Sequence, residues 1–416
     1  MVTSAQQLTF VANNIAMNIT SKIVALSSVV AFALQIALAL LMLRYFSPEE
    51  VGTFSVISQI GFFWTTLALA QSPLRLLVNH GASVFDDARQ AWFSSLQRFV
   101  WLLPFAALAV WWSGLAFVNA LLWALLLSLC QLTWMLAQSM RLRMTSVWSQ
   151  SGVRVLPPLM ALLVTVLAVT MQWTSSALLA AALIGYATGS AWLLPALLSS
   201  GQIPQDTSTE NIAITAGDDR SATLRMAHTL MDALLATAIV VVWQRLYGAQ
   251  ETGWMAAPLR VMGFVPAVVH MAWAQVILAQ PQQARINPLW VGLAGFACVA
   301  IFGGACAFAL EIGWLGAQWE GVRPYLLPLV IWQGSACLAA AFSHLPFQNH
   351  NARRYSWACM WVATLQGSVL LIPAFHLYVS TAHVHLLIFG VVSAFALVAI
   401  TFYINSNNRG KPVVST

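Results

Sequence analysis

Arg44-Tyr-Phe-Ser-Pro-Glu-Glu50-Val-Gly52 follows the first long apolar stretch of the chain, and Arg245-Leu-Tyr-Gly-Ala-Gln-Glu251-Thr-Gly253 follows the seventh. Arg44 aligns with Arg245, Phe46 with Tyr247, Glu50 with Glu251 and Gly52 with Gly253, without a gap. Three identities and one aromatic pair in nine positions are weak alone. The context strengthens them, because six apolar stretches separate the copies and the same shift of 201 residues lays stretch on stretch. A duplicated six-helix unit produces this pattern, and internal duplication recurs in transporters.

Composition places those stretches in lipid. Sixty per cent of the 416 residues are hydrophobic and only 7% are charged, against about 25% charged in a soluble domain. About 20 apolar residues make one helical crossing of a bilayer. An open sheet would leave edge groups unpaired in hydrocarbon, and the period-2 alternation of a barrel is absent, so the stretches are helices. The expected spans are Ser21–Leu43, Val51–Leu77, Phe99–Ala116, Val118–Ala137, Gly152–Met171 and Ala177–Leu198, then Leu224–Trp243, Gly253–Ala279, Leu289–Leu310, Tyr325–Phe342, Trp357–Tyr378 and Val384–Tyr403.

The net charge of +6 is spread by topology, not gathered into a nucleic-acid patch. With the N-terminus inside, thirteen Lys and Arg fall in cytoplasmic segments, while Arg44, Arg245 and Arg323 fall outside. That bias favours both termini in the cytoplasm. The polar stretch 199–222 carries Asp206, Glu210, Asp218 and Asp219 and reads as a cytoplasmic tether. It divides an N-terminal six-helix lobe, 1–198, from a C-terminal one, 223–404, with a short tail at 405–416. Because six is even, the lobes share one orientation, related by a pseudo-two-fold axis along the membrane normal. The five cysteines lie in apolar spans and form no CxxC or Cys/His pattern, so no zinc site is expected.

Two stretches resemble the Wzx-type polysaccharide flippases of the multidrug/oligosaccharidyl-lipid/polysaccharide exporter superfamily. One is Leu40-Leu-Met-Leu-Arg44-Tyr-Phe-Ser-Pro-Glu-Glu-Val-Gly52-Thr-Phe-Ser, similar to that family's basic, acidic-pair, glycine and aromatic first loop. The other runs from Gln244 to Gly253, through Ala257-Pro-Leu-Arg260, to Ile277-Leu-Ala-Gln-Pro281. It is similar to the family's seventh-to-eighth-span region, where an arginine lies early in span eight and a proline closes it. The resemblance implies transfer of undecaprenyl-diphosphate-linked oligosaccharide from inner to outer leaflet of a bacterial inner membrane, serving O-antigen, common antigen or exopolysaccharide synthesis. It implies a monomeric transporter, not an enzyme, with a polymerase and a chain-length regulator as candidate partners. No cofactor is expected; H+ or Na+ is the candidate coupling ion.

Charged side chains deep in a bilayer cost about 2.5–3.5 kcal/mol on insertion scales, so each needs a reason. Arg260, about two turns into span eight, is the candidate for the diphosphate, since guanidinium pairs with phosphate oxygens in a planar fork. A snorkelled or packing arginine is the plain alternative. Arg75, in Ser72-Pro-Leu-Arg75, is either an interfacial anchor or a second cation where cargo first docks. Arg225, His228 and Asp232 share one helical face through spacings of three and four. Asp232 and His228, with Arg225, are the candidate ion-coupling or polar relay set, against a structural hydrogen-bonded pair with Arg225 marking the cytoplasmic boundary. His270 and His376 read as satisfied interior histidines. Asn13, Asn14, Asn18 and Gln35 could meet sugar hydroxyls or simply bond between helices. Many of the 19 tryptophans lie near expected span ends, where an aromatic belt accounts for most of them, with Trp64 and Trp273 the candidates for stacking on sugar rings.

No Walker loop, dinucleotide fingerprint or Gly-x-Ser-x-Gly elbow is present. A membrane polymerase or ligase on the same lipid carrier remains an alternative, although the longest outer loop is only about Glu311 to Arg323. A drug or cation antiporter of the same superfamily is a second one, although the intramembrane charges are more basic than acidic.

Overall fold

The computed structural model describes residues 4–70, 72–78, 83–144, 146–173, 176–198, 219–274, 287–348, 351–375 and 381–408. Among these residues all regular structure is helical, as the backbone demands where water cannot satisfy it. The first apolar stretch continues without a break into α1, Ser4–Tyr45. A corner at Phe46-Ser47 leads into α2, Pro48–Leu69. The corner is written locally. Ser47 donates from its backbone N–H and its hydroxyl to the Glu50 carboxylate (2.8 and 3.0 Å), and Glu50 N–H returns to Ser47 Oγ at 3.3 Å. This is a capping box, with Pro48 at the first helical position where its missing N–H costs nothing.

After α2 come α3 (Ser72–Val78), α4 (Val84–Trp101) and α5 (Leu103–Ser113). The chain bends by 49° between α4 and α5, where Pro104 can neither donate nor continue the α4 ladder. Then follow α6 (Phe117–Arg143), α7 (Val147–Thr170), α8 (Ala177–Ser190) and α9 (Leu194–Leu198). Beyond residue 218 lies α10 (Asp219–Val268), 50 residues of helix interrupted at Gly248. A straight helix of that length would measure about 75 Å, far more than a hydrocarbon core of about 30 Å. Gly248, at φ 86 and ψ 178, divides it into limbs 219–247 and 249–268. A π-helical turn, Val269–Ala274, follows Pro266. The remainder is α11 (Pro288–Glu311), α12 (Arg323–Phe342), α13 (Leu345–Gln348), α14 (Ala352–Leu371) and α15 (Ala382–Asn408).

Every one of the twelve expected stretches contains helix. Nine helices among the described residues are long and apolar enough to cross a membrane, or ten if the bent α4–α5 pair counts as one span. Two particulars separate this from twelve. Residues 230–268 count once although Gly248 breaks them, and α14, opening with Arg353 and Arg354, is too polar to qualify. The expected tether 199–222 lies mostly outside the described residues, and helix already begins at Asp219.

The chain divides into two compact units. One comprises Met1–Leu41, Ile60–Trp111 and Leu115–Thr207, and the other Met42–Gln59, Trp112–Gly114 and Ser208–Thr416. The α1–α2 corner and the α5–α6 turn thus belong with the second half of the sequence, while the stems of those helices belong with the first.

Within the first unit, Trp64 is 2% exposed. It stacks on Phe99 at 4.2 Å between ring centres and donates to the Phe99 carbonyl at 2.8 Å. That corrects the expectation for Trp64, whose faces are taken by the core. Within the second unit, α11 presents Gly292, Gly295 and Gly303 to Leu338, Cys337 and Val330 of α12. Small residues let helix backbones approach where there is no hydrophobic drive to pack them.

Candidate functional site

Arg260 lies on the 249–268 limb, seven residues and about two turns after Gly253, so the two share a face. Its guanidinium is half-buried. It reaches Met42 Sδ at 3.7 Å and Ser58 Oγ at 3.4 Å, and its central carbon lies 4.6 Å from the centre of the Phe54 ring. All three contacts are residues of the α1–α2 corner within the second unit. The side chain is turned into protein, onto a hydroxyl, a thioether and an aromatic face.

Polar groups continue along the same helices. Gln59 Nε2 is 3.5 Å from Thr237 Oγ1, and Thr237 also bonds the Ala233 carbonyl at 3.0 Å. On the 219–247 limb, His228 Nε2 meets Asp232 Oδ2 at 3.1 Å, one turn apart. The Asp232 side chain is 59% exposed, against 21% for His228. The Tyr355 ring of α14 stands edge-on to His228 at 6.0 Å. The expected pair is therefore in contact and Tyr355 joins it, a neighbour more than a hundred residues away that spacing alone could not supply. Arg225 and Arg75 stand on helical backbone, but their side chains lie outside the described residues, as do those of Asn13, Asn14 and Asn18, while His376 lies outside them altogether.

His270 meets Ser343 Oγ at 3.0 Å, so it has the expected partner, but it is exposed rather than interior. Trp273 donates to the Ala341 carbonyl at 3.2 Å and sets its ring edge-on to His344 at 6.3 Å.

The first unit holds polar clusters that sequence reasoning treated only as topology signals. Arg98 donates to the Ala68 carbonyl (2.7 Å), the Leu69 carbonyl (3.3 Å), Ser72 Oγ (2.6 Å) and Ser95 Oγ (3.1 Å). It thereby satisfies carbonyls that the end of α2 leaves without helical donors. Arg143 pairs with Asp87 at 2.7 Å, the side chains 6% and 12% exposed. A cavity of about 320 Å³ is lined by Ser72, Leu76, Asp87, Gln90, Ala91, Ser94 and Arg98. Arg98 faces this cavity.

The described residues thus make an all-helical, multi-span architecture with a half-buried arginine set against the α1–α2 corner. No protein-family model matches the chain, and no curated protein matches it in sequence. The fold is similar to that of lipid II flippase MurJ in its inward closed conformation, which superposes with a TM-score of 0.59, covering 95% of this chain and 88% of that one at 11% identity. An inward-facing multidrug resistance MATE family transporter of the MOP superfamily superposes more loosely, with a TM-score of 0.48 over 92% of this chain and 100% of that one, at 10% identity.

Proposed function

We propose that the protein is a flippase that carries a polyprenyl-diphosphate-linked oligosaccharide from the inner to the outer leaflet of a bacterial inner membrane, with both termini cytoplasmic. Twelve spans form two six-helix lobes that expose the cargo site alternately to each side. Arg260 holds the diphosphate, Arg75 serves cargo entry, the sugars occupy the polar interior and the polyprenyl tail stays in lipid. The observation that carries this reading is the placement of the half-buried Arg260 against Met42, Phe54 and Ser58. A guanidinium at bilayer depth is costly and favours an anionic ligand, and a diphosphate is a bidentate one. The MurJ-like fold supports a lipid-linked cargo. The resemblance of the Arg44–Gly52 and Gln244–Pro281 stretches to Wzx-type flippases supports the oligosaccharide.

Energy comes from an ion gradient or the membrane potential. The His228–Asp232 pair is the coupling element, since a histidine and a carboxylate in contact can exchange a proton or accept a cation.

The test is export of surface polysaccharide in a strain whose own transporter is deleted. Arg260→Ala at normal abundance in the membrane abolishes export, and Asp232→Asn slows it. Wild-type polysaccharide levels with Arg260→Ala would refute the reading.

A further inference from the structure

Helices α1 and α2 change unit partway along: residues 1–41 and 60–111 belong to one, the corner 42–59 to the other. Three sets of contacts hold that corner in the second unit. First, a Cβ on Gly253 would overlap the Pro48 carbonyl, and one on Gly52 would overlap the Ala249 carbonyl and stand 2.9 Å from Gly253 N. The equivalent glycines of the repeat thus cross backbone to backbone. Second, Arg44 donates to the Trp314 carbonyl and lies 5.8 Å from that indole ring, and Gln318 donates to the Phe46 carbonyl at 3.3 Å. The matching Arg245 brings Nη1 to 3.5 Å from where a Cβ on Gly114 would stand. Gly114 (φ 77) and Gly313 (φ 68) both close left-handed turns, so each repeat's arginine reaches a turn of the other half of the sequence. Third, Arg260 grips Met42, Phe54 and Ser58.

The third contact differs chemically from the others. Its partners on the corner are an uncharged hydroxyl, a thioether and a ring face at long range. An ionised phosphate can take a guanidinium through two parallel charge-assisted hydrogen bonds in a planar fork, whereas Ser58 offers one neutral acceptor at 3.4 Å. A ligand shifts a conformational equilibrium only by its differential affinity for the two states. A group that must leave one partner to take the other supplies that difference.

We infer that Arg260 is shared between the corner and the cargo, so that phosphate binding draws its guanidinium off Met42, Phe54 and Ser58 and releases residues 42–59 from the second unit. This rests on the reading of Arg260 as the diphosphate site. It adds that the cargo is itself the trigger of the movement. Linkage requires the converse as well: loosening the corner tightens phosphate binding by the same factor.

The experiment uses the full chain in nanodiscs of phosphatidylethanolamine and phosphatidylglycerol, with the five native cysteines replaced. Spin labels stand at Tyr45→Cys and Ile312→Cys, two exposed sites flanking the Arg44–Trp314 contact. Without cargo a short distance dominates. Adding undecaprenyl diphosphate raises the longer-distance population about threefold or more, and Arg260→Ala abolishes the response. Ser58→Ala raises the long population without ligand and tightens undecaprenyl diphosphate binding by about two- to fivefold. Binding with an unchanged distance distribution, or with unaltered affinity in Ser58→Ala, overturns the inference while leaving the diphosphate reading intact. Absence of binding overturns that reading and the inference with it. An equal shift in discs containing phosphatidylglycerol alone overturns the cargo as trigger.

Discussion

Gly52 and Gly253 occupy equivalent positions of a sequence repeat and cross where neither tolerates a side chain, each apposed to the backbone of the other's segment. An alignment of the two copies shows equivalence, whereas the crossing shows why glycine stands at both positions. Close approach of backbones is a use of glycine in helix contacts within membranes. Gly52→Ala and Gly253→Ala each lower stability by about 1–3 kcal/mol through overpacking. Gly304→Ala, where nothing lies within 4 Å, is neutral or stabilising by up to about 1 kcal/mol, because it relieves the backbone entropy cost. Thermal unfolding in detergent ranks the three; equal shifts would contradict the crossing.

The break in α10 belongs to Gly248 alone. Its φ of 86 and ψ of 178 lie in a region essentially reserved for glycine, and a side chain there costs about 1–3 kcal/mol. Nothing crowds the position, so Gly248→Ala loses stability through backbone conformation only. Its melting temperature falls, while Gly367→Ala, with open space and a helical backbone, leaves the transition in place.

Asp87 and Arg143 form a buried ion pair in the first unit. Breaking such a pair costs about 3–5 kcal/mol because one charge is stranded, whereas apolar replacement of both partners is often close to neutral. Asp87→Asn and Arg143→Gln therefore lower the membrane abundance of folded protein sharply, and Asp87→Leu with Arg143→Leu recovers much of it. Quantitative immunoblotting after detergent extraction reads the difference. A double variant no better than the single ones would show that the pair does more than balance charge.

Arg98 ties the end of α2 to α3 and α4 through four acceptors. A lysine cannot reproduce the planar fork. Arg98→Lys thus loses about as much stability as Arg98→Ala, about 2–4 kcal/mol for several hydrogen bonds from a charged donor. Full recovery by lysine, measured in the same thermal assay, would mean that charge alone matters.

The two aligned glutamates have different partners. Glu50 closes the local cap on Ser47, whereas Glu251 accepts from the Tyr325 hydroxyl of α12. Tyr325→Phe leaves that carboxylate without a donor and destabilises by about 1–3 kcal/mol. Glu50→Gln preserves the cap, since glutamine serves equally in a capping box, and shifts the melting temperature little.

What could be read in advance follows from the range of each signal. Apolar runs and turn chemistry are local, so the helices fall where expected and the Ser47–Glu50 cap lies within four residues. The i,i+4 contact of His228 with Asp232 is equally local and was legible from spacing. Arg260 stood out because charge at bilayer depth is costly. Its partners Met42, Phe54 and Ser58 did not, being about two hundred residues away and chemically ordinary. The roles of Arg98 and Asp87 were hidden for a related reason: near a span end, a charge serving topology and a charge satisfying buried carbonyls look alike in sequence. Trp64 shows the opposite failure, for an aromatic that fills a core is indistinguishable by composition from one that stacks on a sugar. The last residue pair of the repeat, Gly52 with Gly253, is visible in sequence as a match but not as a contact.

The most direct test is the affinity of nanodisc-embedded protein for undecaprenyl diphosphate, wild type against Arg260→Ala, with Arg323→Ala as the control for an exposed arginine paired with Glu311. Loss of charged hydrogen bonds worth about 1.5–3 kcal/mol corresponds to a weakening of about 10- to 150-fold for Arg260→Ala, with Arg323→Ala unchanged. Equal affinity in all three proteins would contradict the assignment of the diphosphate to Arg260.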